Sequence, residues 1–209
     1  VTADGRWDDY KGVDVRGKTV VMLVNDPAVP NAADSTALDA KLFRGDAMTY
    51  YGRWTYKYEI ATEKGAAAVL LVHEDGPAGY PWEVVRGGWS GERMDTRSAD
   101  GNAGRVAVEG WITSASARAL FAAAGQDFAH LKALAVTRDF APVPIPATAA
   151  FSIAQEIRDV RSANVVAKLP GTDATLRDEY VVYTGHWDHF GIGEVVDGDS
   201  IYNGARDNA

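Results

Sequence analysis

Apolar residues along the chain fall into two kinds of run. Lys18–Val24 (KTVVMLV) and Ala66–Val72 (AAAVLLV) are continuous and of strand length, the pattern of strands buried on both faces. The first run stops at Asn25-Asp26-Pro27, where proline has no N–H to give to a ladder. Between the runs, Tyr51, Trp54, Tyr58 and Ala61 recur at helical spacing, with Lys64 in the last turn and Gly65 as the stop signal. This spacing predicts an amphipathic helix whose aromatic stripe (Tyr50, Tyr51, Trp54, Tyr56, Tyr58) packs a core. Strand, helix and strand joined by short connections predict an α/β class. Arg105–Trp111 alternates as a third strand. Thr113 is placed to cap a helix with Ala117, Leu120, Phe121 and Ala124 on its inner face, ending at Gly125, and Asp127–Ala135 adds a short helical turn. Two stretches lack periodicity. Pro30–Leu42 is polar and small and reads as loop. Gly76–Gly104 carries seven glycines among Trp82, Trp89, Arg86, Arg93 and Arg97 and reads as a long mobile surface bordering substrate. His73 and His130 read as structural residues.

The pattern changes at Ala141–Ala147 (APVPIPA), where alternating prolines favour a stiff, extended connector. The boundary divides residues 1–141 from residues 142–209. Beyond it, Asn164–Leu169 (NVVAKL) and Glu179–Thr184 (EYVVYT) are strand-like, and the turn Pro170–Asp178 between them predicts antiparallel neighbours. The second run leads through Gly185 into His186-Trp187-Asp188-His189. In extended chain His186 and Asp188 point to one side and Trp187 to the other. A carboxylate so placed accepts the second N–H of a metal-bound imidazole and fixes its tautomer. Asp207 follows in Asn203-Gly204-Ala205-Arg206-Asp207-Asn208, flanked by small residues. Asp197 and Asp199, on either side of Gly198, read as turn residues.

Composition narrows the chemistry. The 209 residues are 46% hydrophobic, enough for one large core or two modest ones, and a formal charge of −8 argues against nucleic acid or an anionic membrane as partner. With no cysteine, any zinc is held by nitrogen and oxygen donors. No apolar run reaches membrane-spanning length. Beginning at Val1 and stopping at Ala209 inside a motif, the chain has the look of an excised or processed fragment.

The pattern G-H-x-D-x-x-G followed by N-G-A-x-D-N resembles the co-catalytic zinc aminopeptidase family, which includes bacterial leucyl aminopeptidases, aminopeptidase Y and glutamate carboxypeptidase. Carried over by motif, the resemblance implies that His186 binds one of two zinc ions, that Asp188 orients it, and that Asp207 bridges both metals. His189 falls on no ligand position. The remaining ligands and the general base of that family, a Glu-Glu pair, a later acid and a later histidine, would lie beyond Ala209, so the 209-residue chain alone is expected to be inactive. The first region, through Lys11–Pro27 and Glu63–His73, resembles the protease-associated domain inserted into many members of that family. The implied architecture is a protease-associated α/β domain followed by the opening strands of a zinc-peptidase mixed-sheet α/β domain. The implied activity is zinc-dependent exopeptidase action, probed first as an aminopeptidase, on a peptide or protein substrate, with secretion or periplasmic export. Two rival readings are a metallo-β-lactamase-like hydrolase, which puts histidine where Thr184 stands and has no use for N-G-A-R-D-N, and a non-catalytic transferrin-receptor-like binding module.

Overall fold

The computed structural model of the protein describes residues 1–189 and 191–204. The described chain forms two units, Val1–Ala154 and Gln155–Ala209.

In the first unit the two continuous apolar runs become β1 (Thr19–Leu23) and β2 (Ala68–His73), and the third run becomes β3 (Val108–Thr113), shifted toward the C-terminus of the expected span. The three strands form a parallel sheet in the order β1-β2-β3, with Val21 opposite Leu70 and Leu71 opposite Trp111. Parallel strands need crossovers, and helices supply them. Between β1 and β2 lie α1 (Ala40–Phe43) and α2 (Trp54–Glu63); between β2 and β3 lie α3 (Asp75–Ala78) and α4 (Trp82–Ser90); α5 (Ser114–Ala123) and α6 (Phe128–Leu134) follow.

The strands alternate between two cores. Val20, Met22, Val69, Leu71 and Trp111 pack on one face with Tyr58, Ile60, Ala61, Trp54 and Trp89. Val21, Leu23, Val72 and Ile112 pack on the other with Ala117, Phe121 and Phe128. A sheet covered on both faces has no polar side, which is why its strands read as unbroken apolar runs.

Local chemistry sets the helix ends. Asp26 accepts from both the backbone N–H (2.7 Å) and the hydroxyl (2.9 Å) of Thr49, whose own hydroxyl accepts from Tyr51 N–H in the 3-10 turn leading into α2. A β-carbon at Gly52 would lie 2.8 Å from the Asp26 carboxylate, so the close approach of the two loops requires glycine. Gly65 ends α2 with φ +75° and turns the chain into β2. Thr113 and Asp127 cap α5 and α6 with their side-chain oxygens.

Three stretches depart from the sequence expectation. The stretch expected to be loop over Pro30–Leu42 ends in the helical turn α1, capped by Asp39. Within Gly76–Gly104, α4 forms because Trp82, Val85 and Trp89 recur at helical spacing and have an aromatic core to enter; its glycines mask that period. The remainder of that stretch is tied down: Arg105 reaches both Glu109 (2.9 and 2.6 Å) and Asp95, and Asp100 accepts from Ser98 and Asn102.

The third departure lies in the second unit. Neither Asn164–Leu169 nor Glu179–Thr184 is part of a strand, so the expected opening strands of a mixed sheet are not formed among the described residues. The chain does double back around Asp173, which caps the turn through Thr175 and Leu176 N–H, and Lys168 sits 4.6 Å from the Tyr180 ring. The apolar residues of both segments are left uncovered. Val165, Val166, Leu169, Val181, Val182 and Tyr183 remain 74–97% exposed. A two-stranded ribbon is marginal by itself, and one apolar on two sides needs a covering layer on each. The unit's regular structure is instead a hairpin, β4 (Gly191–Val196) with β5 (Asp199–Tyr202), antiparallel around Asp197 (φ +53°) and Gly198 (φ +87°).

Leu71→Ala, in the fully buried centre of the sheet, is expected to cost about 2–5 kcal/mol. Val166→Ala, 88% exposed, is expected to change stability by less than about 0.5 kcal/mol. Urea denaturation of both variants checks this, and a comparable loss in the two would contradict the described burial.

Candidate functional site

Beyond Gly185 the chain presents His186, Trp187, Asp188 and His189 without regular structure. His186 and Asp188 do share a site. Together with Ser162, Asn164, Val165, Thr184, Gly185 and Trp187 they line a cavity of about 620 Å³, formed where the chain before Leu169 runs back past the chain after Tyr183.

The contact within the pair differs from the expected one. His186 Nδ1 lies 2.5 Å from the main-chain carbonyl of Asp188 and 3.7 Å from its carboxylate. The carbonyl, an obligatory acceptor, therefore takes the Nδ1 proton. The result for the ring is the one a carboxylate would give. A neutral imidazole with its proton on Nδ1 carries its lone pair on Nε2, the nitrogen that would face a cation. The Asp188 side chain is 86% exposed and stands beside the ring.

His189 has a separate task. Its Nδ1 lies 2.8 Å from the carbonyl of Tyr202, across the hairpin. The ring lies flush against Gly204, where an added β-carbon would stand 2.6–2.8 Å from ring atoms. The hairpin thus brings the end of the first motif block against the start of the second. The glycine of Asn203-Gly204 is needed for a close approach, and what approaches is an imidazole. Asp207, the expected bridging ligand, lies outside the described residues.

Among the described residues no group of three or more His, Cys, Asp and Glu could hold a metal ion. His186 and Asp188 are donors of kinds zinc accepts, yet a protein zinc site takes three or four such ligands. By donor count these two do not make a zinc site, and no catalytic step is derived through a metal here.

Ser162 and Asn164, cavity-lining residues, carry no motif and were not visible as site residues in the sequence. The hairpin had a signal: Asp197-Gly198 flanked by apolar residues is a two-residue turn sequence. His73, buried at 2% exposure, lies at the end of β2 with Nε2 3.0 Å from Asp75, in keeping with a structural reading.

With this geometry in hand, comparison with known proteins gives one finding. Residues 164–209 match the model of Peptidase family M28. The matched segment, which is similar to a peptidase family, contains the cavity-lining residues Asn164, Val165 and Thr184 to Asp188, as well as Asp207. No curated protein and no solved structure matches the chain.

Gly204→Val is expected to push the His189 ring off its seat and break its bond to Tyr202. In ¹H–¹⁵N spectra the His189 imidazole and the β4–β5 amides should shift while those of β1–β3 stay in place. Unchanged His189 signals would show that the ring does not rest on Gly204.

Proposed function

We propose that the chain belongs to a zinc-dependent exopeptidase acting on the amino end of peptides. His186 is one zinc ligand, Asp188 its positioning residue and Asp207 the carboxylate shared between two zinc ions. The observation that carries this reading is the coincidence of the matched segment with the His186–Asp188 cavity. The tautomer held by the Asp188 carbonyl supports it, since a ligand histidine must offer one defined nitrogen. When bound, the paired zinc ions would supply polarisation of the peptide carbonyl and a nucleophilic water. The contribution of this chain's residues is to orient His186 and to line the cavity. Its donor set makes a dinuclear centre depend on further carboxylates and a further histidine. A protease-associated role for the first unit, in covering a cleft, selecting substrate or making partner contacts, is part of the reading.

The test is carried out on the protein as encoded by its gene, with leucine p-nitroanilide as substrate and bound zinc measured by mass spectrometry. Hydrolysis should be abolished by a chelator and restored by zinc, and His186→Ala should reduce it to background together with loss of metal. Asp188→Asn keeps the main-chain carbonyl that orients the imidazole and should change activity by no more than a few-fold. His189→Ala should leave bound zinc unchanged. Full activity in His186→Ala, or no zinc and no hydrolysis in the wild-type protein, overturns the assignment, the latter in favour of a non-catalytic binding module. The 209-residue chain alone, short of donors, should show no turnover.

A further inference from the structure

The first unit contains a cleft that the peptidase reading does not use. It lies between α4 and β3 as a shallow, open groove of about 230 Å³ lined by Trp82, Val85, Arg86, Trp89 and Trp111. Sites for whole small molecules occupy about 300–1,000 Å³. A space below that range, walled by three indoles, suits one large side chain of a polypeptide.

Charge selects the kind of polypeptide. Arg86 is exposed on the lining and makes no ion pair with a described residue. Arg93 stacks on Trp89 with its guanidinium carbon 4.3 Å from the ring centre, held by donation to the Gly88 carbonyl at 2.6 Å. In a chain of net charge −8, the Arg86 guanidinium on the lining is a cation to which a carboxylate can pair, with Arg93 close by on Trp89. An aromatic cleft can also cage an ammonium group, but here the arginines would repel one.

The walls also leave hydrogen-bonding capacity unused. The indole N–H of Trp111 is buried without an acceptor, and Nδ1 of His73 is buried without a partner, its ring 6.0 Å from that of Trp111 and 5.6 Å from that of Trp82. A buried donor without a partner costs about 1–3 kcal/mol.

We propose that this cleft recognises an acidic polypeptide segment, one aromatic or aliphatic side chain seating against Trp82, Trp89 and Trp111 while an adjoining carboxylate pairs with Arg86. Every residue involved lies in the first unit, so the cleft's role stands apart from that of His186.

The experiment titrates the full chain with the capped peptide acetyl-Gly-Phe-Asp-Glu-Gly-amide, following tryptophan fluorescence and confirming by calorimetry. Saturable binding is expected, weakening as sodium chloride is raised. Replacing the peptide's Phe by Gly, or its Asp-Glu by Lys-Lys, should weaken it at least tenfold. Arg86→Glu should weaken it to the same degree and turn the preference toward the Lys-Lys peptide. Arg86→Lys should stay within a few-fold of wild type, and Val84→Ser, elsewhere on the exposed surface of α4, should bind as wild type does. Circular dichroism melts establish that each variant is folded, and Arg86, exposed on its helix, is a position where folding should survive. Absence of saturable binding, equal affinity for the Lys-Lys peptide, or unchanged affinity in folded Arg86→Glu overturns the proposal. So does a concentration-dependent dimer abolished by Arg86→Glu, which would make a second copy of this chain the occupant.

Discussion

A strand that is apolar on both sides has to be covered on both sides, and most of this structure follows from how far that requirement is met. In β2, Val69, Leu71 and Val72 are wholly removed from water, Val69 and Leu71 toward one core and Val72 toward the other. Full burial of each such side chain is worth about 1.5–3 kcal/mol. The requirement explains why α2 and α4 lie over one face while α5 and α6 lie over the other. It also explains the aromatic stripe of α2, whose Trp54 meets Trp89 edge-to-face and Trp111 at a tilt, while Tyr58 lies tilted against Trp89. In residues 164–184 the same requirement goes unmet, and no sheet forms there.

Much of the first unit was legible in the sequence because its determinants are local. Continuous apolar runs marked β1 and β2, helical spacing and Gly65 marked α2, and Thr113 and Asp127 announced the helices they cap. What escaped notice depended on a partner elsewhere in the chain. Glycine 87 and 88 hid the period of α4, which takes shape because Trp89 has Trp54, Tyr58 and Trp111 to meet. In the second unit the error ran the other way. NVVAKL and EYVVYT have every local mark of strands, but local preference is not enough without layers to bury them.

The candidate site was legible to a similar degree. Residue type and spacing singled out His186 and Asp188, and both line one cavity in the structure. The atom that holds the imidazole is the Asp188 carbonyl, and sequence carries no information about which oxygen of a residue will accept. His189 was set aside as a ligand on motif grounds; in the structure its Nδ1 is held by the Tyr202 carbonyl, the same kind of bond that holds His186. Ser162 and Asn164 enter only through the path of the folded chain.

The bare apolar segments of the second unit carry a consequence for the molecule in solution. Val165, Val166, Leu169 and the run Tyr180 to Tyr183 keep their main-chain amides and carbonyls outside any ladder while offering β-branched and aromatic side chains to water. Such stretches, with high β-propensity and little charge, are templates on which like stretches of other molecules stack. At high concentration these residues are therefore where the bare strand-like segments of one chain would meet those of another.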